Sequence, residues 1–287
     1  MANVLIAGCG DVGIALGCRL TEIGHRVWGL RRNPQHLPKE IHGLQADLSQ
    51  PATLVRFPAE IHFVFVIITA DRFEDAAYHR SYVRGTYHLM AALQSQKQNP
   101  ERIVFVSSTS VYGQTNGDWV DEESLTQPNH FSGKQMLQAE QVIQEAPYPT
   151  INLRSAGIYG PKRIRRIGKI RRGEETLADG PPRFVNLIHR DDLVGILYHV
   201  MTMDDPKSVY IAVDHQPVDQ NDLIRWLAHR LGKDTPGIAG NGMPNRRNRS
   251  NKRCRNNRIL STGYEFQYPT FQEGYAKLVR KEQGEDR

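Results

Sequence analysis

Near the start of the chain, Gly8-Cys9-Gly10-Asp11-Val12-Gly13 has the spacing G-x-G-x-x-G. It lies between a short apolar run, Asn3 to Ala7, and a helix pattern from Asp11 to Ile23 that Gly24 ends. In that setting the chemistry is anion binding. Gly8 permits a tight turn, and Gly10 lets the main chain approach a pyrophosphate. Gly13 allows helix and strand to pack closely, and the helix start at Asp11 and Val12 faces the anion. Roughly 20 residues past such glycines, an NAD site places an acid on the ribose 2′-hydroxyl. This chain has no Asp or Glu between Glu22 and Glu40, and Arg31 and Arg32 stand at the required place. Two guanidiniums suit a 2′-phosphate better than a hydroxyl. The expected cofactor is NADP(H), with NAD(H) as the second choice.

These residues need a scaffold, and the chain alternates strand and helix patterns. Arg26 to Leu30 reads as a strand, and residues 31–60, broken by Pro34, Pro38, Pro51 and Pro58, read as irregular. Ile61 to Ile68 is almost continuously apolar, as in a strand covered on both faces. A helix pattern follows from about Glu74 to Gln98, then a strand from Arg102 to Val106. Another helix runs around Pro128 to Glu145, and a strand from Thr150 to Leu153. Such alternation implies an α/β fold, a doubly wound parallel Rossmann sheet. After about residue 155 the rhythm loosens. A basic stretch (162–172) precedes a Gly-Pro turn (180–182) and a strand-to-helix step from Phe184 to Met203. Strand Ser208 to Val213 and helix Asp219 to Leu231 come next, and Gly232 to Asn257 reads as a mobile loop. The expected organisation is a dinucleotide-binding domain over 1–155 and a smaller substrate-binding lobe over 156–287, partly interleaved with the first.

The formal charge of +6 is concentrated in two clusters, Lys162 to Arg172 and Arg246 to Arg258. Neither contains an aromatic residue, which argues against a single-strand nucleic-acid platform, and solvated surface is the favoured reading. No nucleic-acid partner is expected. No apolar stretch approaches the roughly 20 residues of a membrane span, so no membrane partner is expected either. Met1 leads directly into a strand pattern, so no secretory leader is expected. Cys9, Cys18 and Cys254 have no metal-ligand spacing, so no metal is expected and the compartment reads as cytoplasmic.

Taken together, the motifs resemble the extended short-chain dehydrogenase/reductase superfamily, the group of NAD(P)-dependent epimerases and dehydratases. The resemblance runs over nearly the whole chain. It includes Asp47-Leu48, where the family holds the adenine, and Thr69-Ala70 beside the cofactor. Ser107-Ser108-Thr109-Ser110-Val111-Tyr112-Gly113 is similar to the family's S-S-x-x-V-Y-G. Arg154 with Ile158-Tyr159-Gly160-Pro161, and Ile188-His189-Arg190-Asp191-Asp192, match later motifs. The resemblance implies that Ser108 bonds the reacting substrate oxygen and that Lys134 grips the nicotinamide ribose. It places Ser107 beside the cofactor and Thr109, Gly157, Arg163 and His189 toward the substrate.

The resemblance also exposes a departure. The family's acid/base is a Tyr four residues before the Lys, and here position 130 is His. Position 130 admits two readings. Imidazole titrates near neutral pH and could serve as the acid/base. Alternatively, the residue has no chemical role, and the protein is a non-catalytic NADP(H) sensor. Other departures bear on substrate. Thr109 and Ser110 replace the Asp-Glu pair of the sugar 4,6-dehydratases, Gly157 replaces a common substrate-binding Asn, and Tyr82 another Asn beside the cofactor. The expected activity is hydride transfer at a carbonyl/hydroxyl carbon of a sugar-derived, phosphorylated or otherwise anionic small molecule. A homodimer is expected through the helices at 74–98 and 128–145, using Tyr82, Tyr87, Leu89, Met90, Met136, Leu137 and Val142.

Overall fold

The computed structural model describes residues 1–238 and 250–283. The chain divides into two compact units. The first comprises Met1–Val111, Thr126–Arg154 and Val194–Tyr210, and the second Tyr112–Leu125, Ser155–Leu193 and Ile211–Arg287.

The first unit opens with β1 (Asn3–Ala7), α1 (Asp11–Glu22), β2 (Arg26–Arg31), β3 (Ile41–Gln45) and β4 (Phe63–Val66). Helical segments α2 (Asp75–Tyr78) and α3 (Gly85–Ser95) follow, joined by a π-helical turn at His79–Arg84, and β5 (Arg102–Ser108) comes next. After β6 (Asp118–Val120), which belongs to the second unit, α4 (Phe131–Gln144) and β7 (Thr150–Ser155) complete the pattern. β1 pairs in parallel with both β2 and β4, at Ala7–Leu30 and Ala7–Val66. The central sheet has seven strands in the order β11-β7-β5-β4-β1-β2-β3, where β11 is Val209–Ala212. The chain therefore builds outward from β1 through β2 and β3, then returns to place β4 on its other side. That reversal opens a crevice beyond the C-terminal end of β1, where open α/β sheets bind ligands.

β1 and β4 form because their side chains are apolar on both faces: Val4, Leu5, Ile6 and Val64, Phe65, Val66 are fully buried. On α1, Val12, Leu16 and Leu20 recur every fourth residue and are buried against the sheet. The stretch read as irregular at 31–60 contains β3, paired with β2 from Val27–Ile41 to Arg31–Gln45. Its pattern hid it, because on this edge strand only Ile41 is buried. The long helix expected from Glu74 to Gln98 is helical over most of that span, with the π turn inside it.

In the second unit, β8 (Gly157–Tyr159), α5 (Arg165–Arg171), β9 (Phe184–Val185) and β10 (Leu187–His189) precede α6 (Arg190–Thr202), which runs on into the first unit. Beyond β11 come β12 (Val218–Asp219), α7 (Gln220–Arg230), β13 (Lys252–Cys254), α8 (Asn257–Leu260) and α9 (Phe271–Gln283). Asp219 caps α7, its carboxylate accepting from the Asn221 and Asp222 N–H groups. Tyr159, Ile167, Leu223, Leu227, Phe271 and Tyr275 form part of a single buried cluster. The loop expected from Gly232 to Asn257 lies partly outside the described residues. Its described end contains β13, which pairs with β6 and buries Lys252 and Cys254. The basic cluster at 246–258 also lies partly outside them. Its described part acquires the aromatic neighbours it lacks in sequence. Arg253 lies 4.9 Å from the Trp119 ring and 4.8 Å from that of Phe184, and Arg255 lies 5.2 Å from Trp119. No helix among the described residues is long and apolar enough to cross a membrane.

Candidate active site

The glycine turn joins β1 to α1. Gly8 has φ +83°, and a Cβ there would overlap the Ile67 carbonyl oxygen and lie 2.8 Å from its carbon. Only glycine fits both demands. The Gly8 and Cys9 N–H groups donate to the Leu30 carbonyl at 3.0 and 3.2 Å, which ties the turn to β2. A Cβ on Gly13 would sit 3.0 Å from Ile6 Cγ2, so this position sets the approach of α1 to β1. Gly10, the residue before α1, differs from both. A Cβ there would find nothing nearer than 3.9 Å, so its side-chain space opens outward at the helix start. That open space adjoins the start of α1, the kind of place where a helix N-terminus can hold a phosphate. Val12 is buried and Asp11 half-buried behind it. Burial pushes the Cys9 thiol up to about 12, which leaves it protonated and unreactive.

Arg31 ends β2 half-buried, and its Nη1 donates to the Cys9 carbonyl at 3.1 Å. Arg32 is exposed and forms a two-bond fork with Asp71. The Asp47 carboxylate accepts from the Ser49 N–H at 2.9 Å and hydroxyl at 2.8 Å, and the Leu48 carbonyl is held by His88 Nδ1 at 2.7 Å. Thr69 is exposed and Ala70 half-buried just past β4. The residues expected around the cofactor thus stand at or just past the ends of β1 to β5, with Lys134 on α4, all within the first unit.

At the end of β5 the two serines diverge. Ser107 turns into the core, where its hydroxyl donates to Glu140 at 2.5 Å. Glu140 also receives Arg154, whose Nη2 lies 2.8 Å from Oε2, so the three form a buried polar network. Burying that charge is tolerable only because every partner is present. Ser108 is half-buried, and its Oγ accepts from the Ser110 N–H at 3.1 Å. Thr109 is buried. A Cβ on Gly133 would overlap the Ser110 carbonyl oxygen and lie 2.5 Å from Pro128 Cβ. Glycine at 133 therefore lets the first turn of α4 press against the residues following β5.

His130 stands at the N-cap of α4, just ahead of the helix, with φ −115° and ψ 150°. Its Nδ1 lies 2.9 Å from Ser132 Oγ and accepts from the Ser132 N–H at 3.3 Å. An accepting Nδ1 belongs to the neutral ring with its proton on Nε2. The Lys134 N–H donates to the His130 carbonyl at 3.1 Å, and the Lys134 side chain is exposed. The His130 ring stacks on Phe73, with centroids 5.5 Å apart and planes at 9°, and touches Phe131. Tyr78 packs edge-on against both Phe73 and Phe131. Sequence reasoning missed this aromatic cluster, since Phe73 and Tyr78 come from a segment with no motif. It also missed Glu140, whose signal was a carboxylate beside the buried helix positions Met136, Ala139 and Ile143.

The residues expected toward substrate lie in the second unit, apart from Thr109. Gly157 and His189 sit at opposite ends of the parallel pair β8 and β10. His189 is buried between the Tyr159 and Tyr268 rings, and burial holds its imidazole down at about 4. Arg163 is exposed. Asp192 is fully buried and accepts from the Gln267 N–H at 2.7 Å and the Tyr268 N–H at 3.0 Å, which secures the segment leading into α9.

A doubly wound sheet with a glycine turn, a serine at the end of β5 and a lysine one turn into α4 agrees with the pattern of the extended short-chain dehydrogenase/reductases. The profile of the NAD dependent epimerase/dehydratase family matches residues 4–212. The chain belongs to that family. A candidate NAD-dependent epimerase/dehydratase from Methylobacillus flagellatus is 36% identical, with a TM-score of 0.81 over 98% of this chain and 99% of that one. Human short-chain dehydrogenase/reductase family 42E member 1 is 27% identical over 82% of this chain and 68% of its own length. Protein YeeZ of Escherichia coli K12 is 31% identical, over 58% of this chain and 59% of its own. The fold is also shared with MoeE5 in complex with UDP-glucuronic acid and NAD, at 22% identity and a TM-score of 0.81 over 99% of this chain and 100% of that one.

Proposed function

We propose that this protein is an NADP(H)-preferring oxidoreductase or epimerase acting on a carbonyl/hydroxyl carbon of a sugar-derived or other anionic small molecule. The observation that carries the reading is the turn at Gly8–Gly13, open at Gly10 and flanked by Arg31 and Arg32 with no acid on β2. In this reading the Gly10 region and the start of α1 hold the pyrophosphate. Arg31 and Arg32 face the 2′-phosphate, and Asp47, Leu48, Thr69, Ala70 and the Ser107 main chain line the rest. Bound nicotinamide would supply or accept the hydride. Ser108 would orient the substrate oxygen, Lys134 the nicotinamide ribose, and His130 would exchange the proton. Thr109, Gly157, Arg163 and His189 would shape the substrate side. The basic segment at 162–172 and the UDP-glucuronic acid held by MoeE5 support an anionic, sugar-derived substrate.

A homodimer in a cytoplasmic setting belongs to the same reading. Tyr82, Leu89, Met90 and Met136 are buried in the first unit's own core, so the helix faces offer chiefly Tyr87, which is 61% exposed, with Leu137 and Val142 half-buried.

Fluorescence titration tests the cofactor assignment. NADPH should bind at least about tenfold more tightly than NADH, a difference of about 1.4 kcal/mol. Equal affinities contradict the preference, and failure of both to bind contradicts the whole reading. One observation favours a second reading, a cofactor-binding sensor: the His130 ring nitrogen nearest the backbone serves α4 as its cap.

A further inference from the structure

Arg32 follows β2 directly, yet its partner comes from the far side of β1. Its Nη1 donates to Asp71 Oδ2 at 2.8 Å and its Nη2 to Oδ1 at 2.7 Å. Asp71 lies in the loop after β4, and β1 separates β4 from β2 in the sheet. The fork therefore spans about 10 Å of sheet, two strand spacings, at the end of β1 where the glycine turn begins. β2 carries no acid of its own, but the fold delivers a carboxylate to its tip from another strand.

We propose that Asp71 is a specificity-determining residue for the cofactor, acting by competing with a 2′-phosphate for the guanidinium of Arg32. The inference rests on the dinucleotide reading of this site. The edge of Arg32 that carries Nη1 and Nη2 accommodates one planar or tetrahedral oxyanion at a time, and a carboxylate and a phosphate fit it equally well. A 2′-phosphate that takes this edge must displace Asp71, and one that takes the Nε edge still meets its negative charge nearby. A 2′-hydroxyl requires neither, so Asp71 penalises NADP(H) selectively and narrows the preference that the two arginines create.

The test is the ratio of NADPH to NADH affinity, titrated for the wild type, Asp71→Asn, Arg32→Gln and the double variant. Both side chains are more than half exposed, so the substitutions leave the core intact, and melting curves check this. Asp71→Asn should raise the ratio about fivefold, chiefly by tightening NADPH. Arg32→Gln should lower it, and adding Asp71→Asn to Arg32→Gln should recover less than it gains alone. A ratio in Asp71→Asn within about twofold of wild type overturns the proposal, whichever cofactor the wild type prefers. A wild type that favours NADH but shifts toward NADPH in Asp71→Asn supports the role of Asp71, while contradicting the NADP(H) preference proposed above.

Discussion

The glycine turn and the start of α4 are both places where a loop enters a helix beside the sheet, and they are built on opposite principles. At Gly8–Gly13 the absence of side chains makes the site. Positive φ, an overlapping carbonyl and a close helix leave no alternative residue, and the open position at Gly10 follows from the same geometry. At 130–134 glycine matters once, at Gly133, and the rest depends on side chains. There His130 caps the helix and stacks on Phe73, and in the proposed reading it exchanges the proton. A site made by backbone has one solution. A site made by side chains can change its residue while the helix keeps its cap, so position 130 can be altered where position 8 cannot.

The largest expected effect is on turnover at position 130. His130→Ser keeps a side-chain oxygen that caps helices well, so the melting point should change by less than about 0.5 kcal/mol equivalent. Loss of a general acid/base should lower the rate by roughly 10²–10⁴-fold, with NADPH affinity nearly unchanged. Turnover unaffected by His130→Ser would leave the residue a cap only and favour the sensor reading. Second is the stability of the turn. Gly8→Ala combines a left-handed backbone with a carbonyl overlap and should cost about 3 kcal/mol in chemical denaturation. A cost below about 1 kcal/mol would mean that the turn has another solution.

The smallest effect contrasts the cofactor turn with the interior of the second unit. Asp214 has one carboxylate oxygen held by the Gln216 N–H and the other buried with no partner among the described residues, and burial pushes its carboxyl up to about 8. The folded protein keeps this proton where the unfolded chain, at its ordinary 3.8, has lost it. The stability from protonated Asp214 is therefore complete below about pH 4 and is lost as pH rises toward 8. His189, lowered to about 4, acts in the opposite direction, but only below its unfolded value of 6.5. Between pH 6.5 and 8 His189 no longer contributes, and the loss of the Asp214 proton should lower stability by up to about 2 kcal/mol with rising pH. Asp214→Asn should flatten that slope in pH-dependent melting, and an unchanged slope would place its origin elsewhere.

The same contrast explains how far the sequence could be read. The glycine turn was legible because backbone constraints leave a residue-type signature at fixed spacing. β1 and β4 were legible because burial on both faces leaves continuous apolar runs, and α1 because burial on one face imposes periodicity. β3 was not, since an edge strand with one buried residue carries no pattern. β13 was hidden for a related reason, as a Lys-Arg-Cys strand is buried at its first and last positions only. α9 had a readable signal in Phe271, Tyr275, Leu278 and Val279, spaced for one helix face. The pairings of Arg32 with Asp71, 39 residues away, and of Arg253 with Trp119 had none, because topology alone brings them together.

In the proposed reading, the Gly8–Gly13 turn holds a dinucleotide pyrophosphate through the space above Gly10. Calorimetric titration of NADPH into the wild type and Gly10→Ala tests it most directly, because a methyl there meets no protein atom within 3.8 Å and leaves the fold unstrained. The melting temperature should be unchanged and the affinity weakened at least about tenfold, as the methyl occupies the phosphate's path. Equal affinity in the two proteins would contradict it.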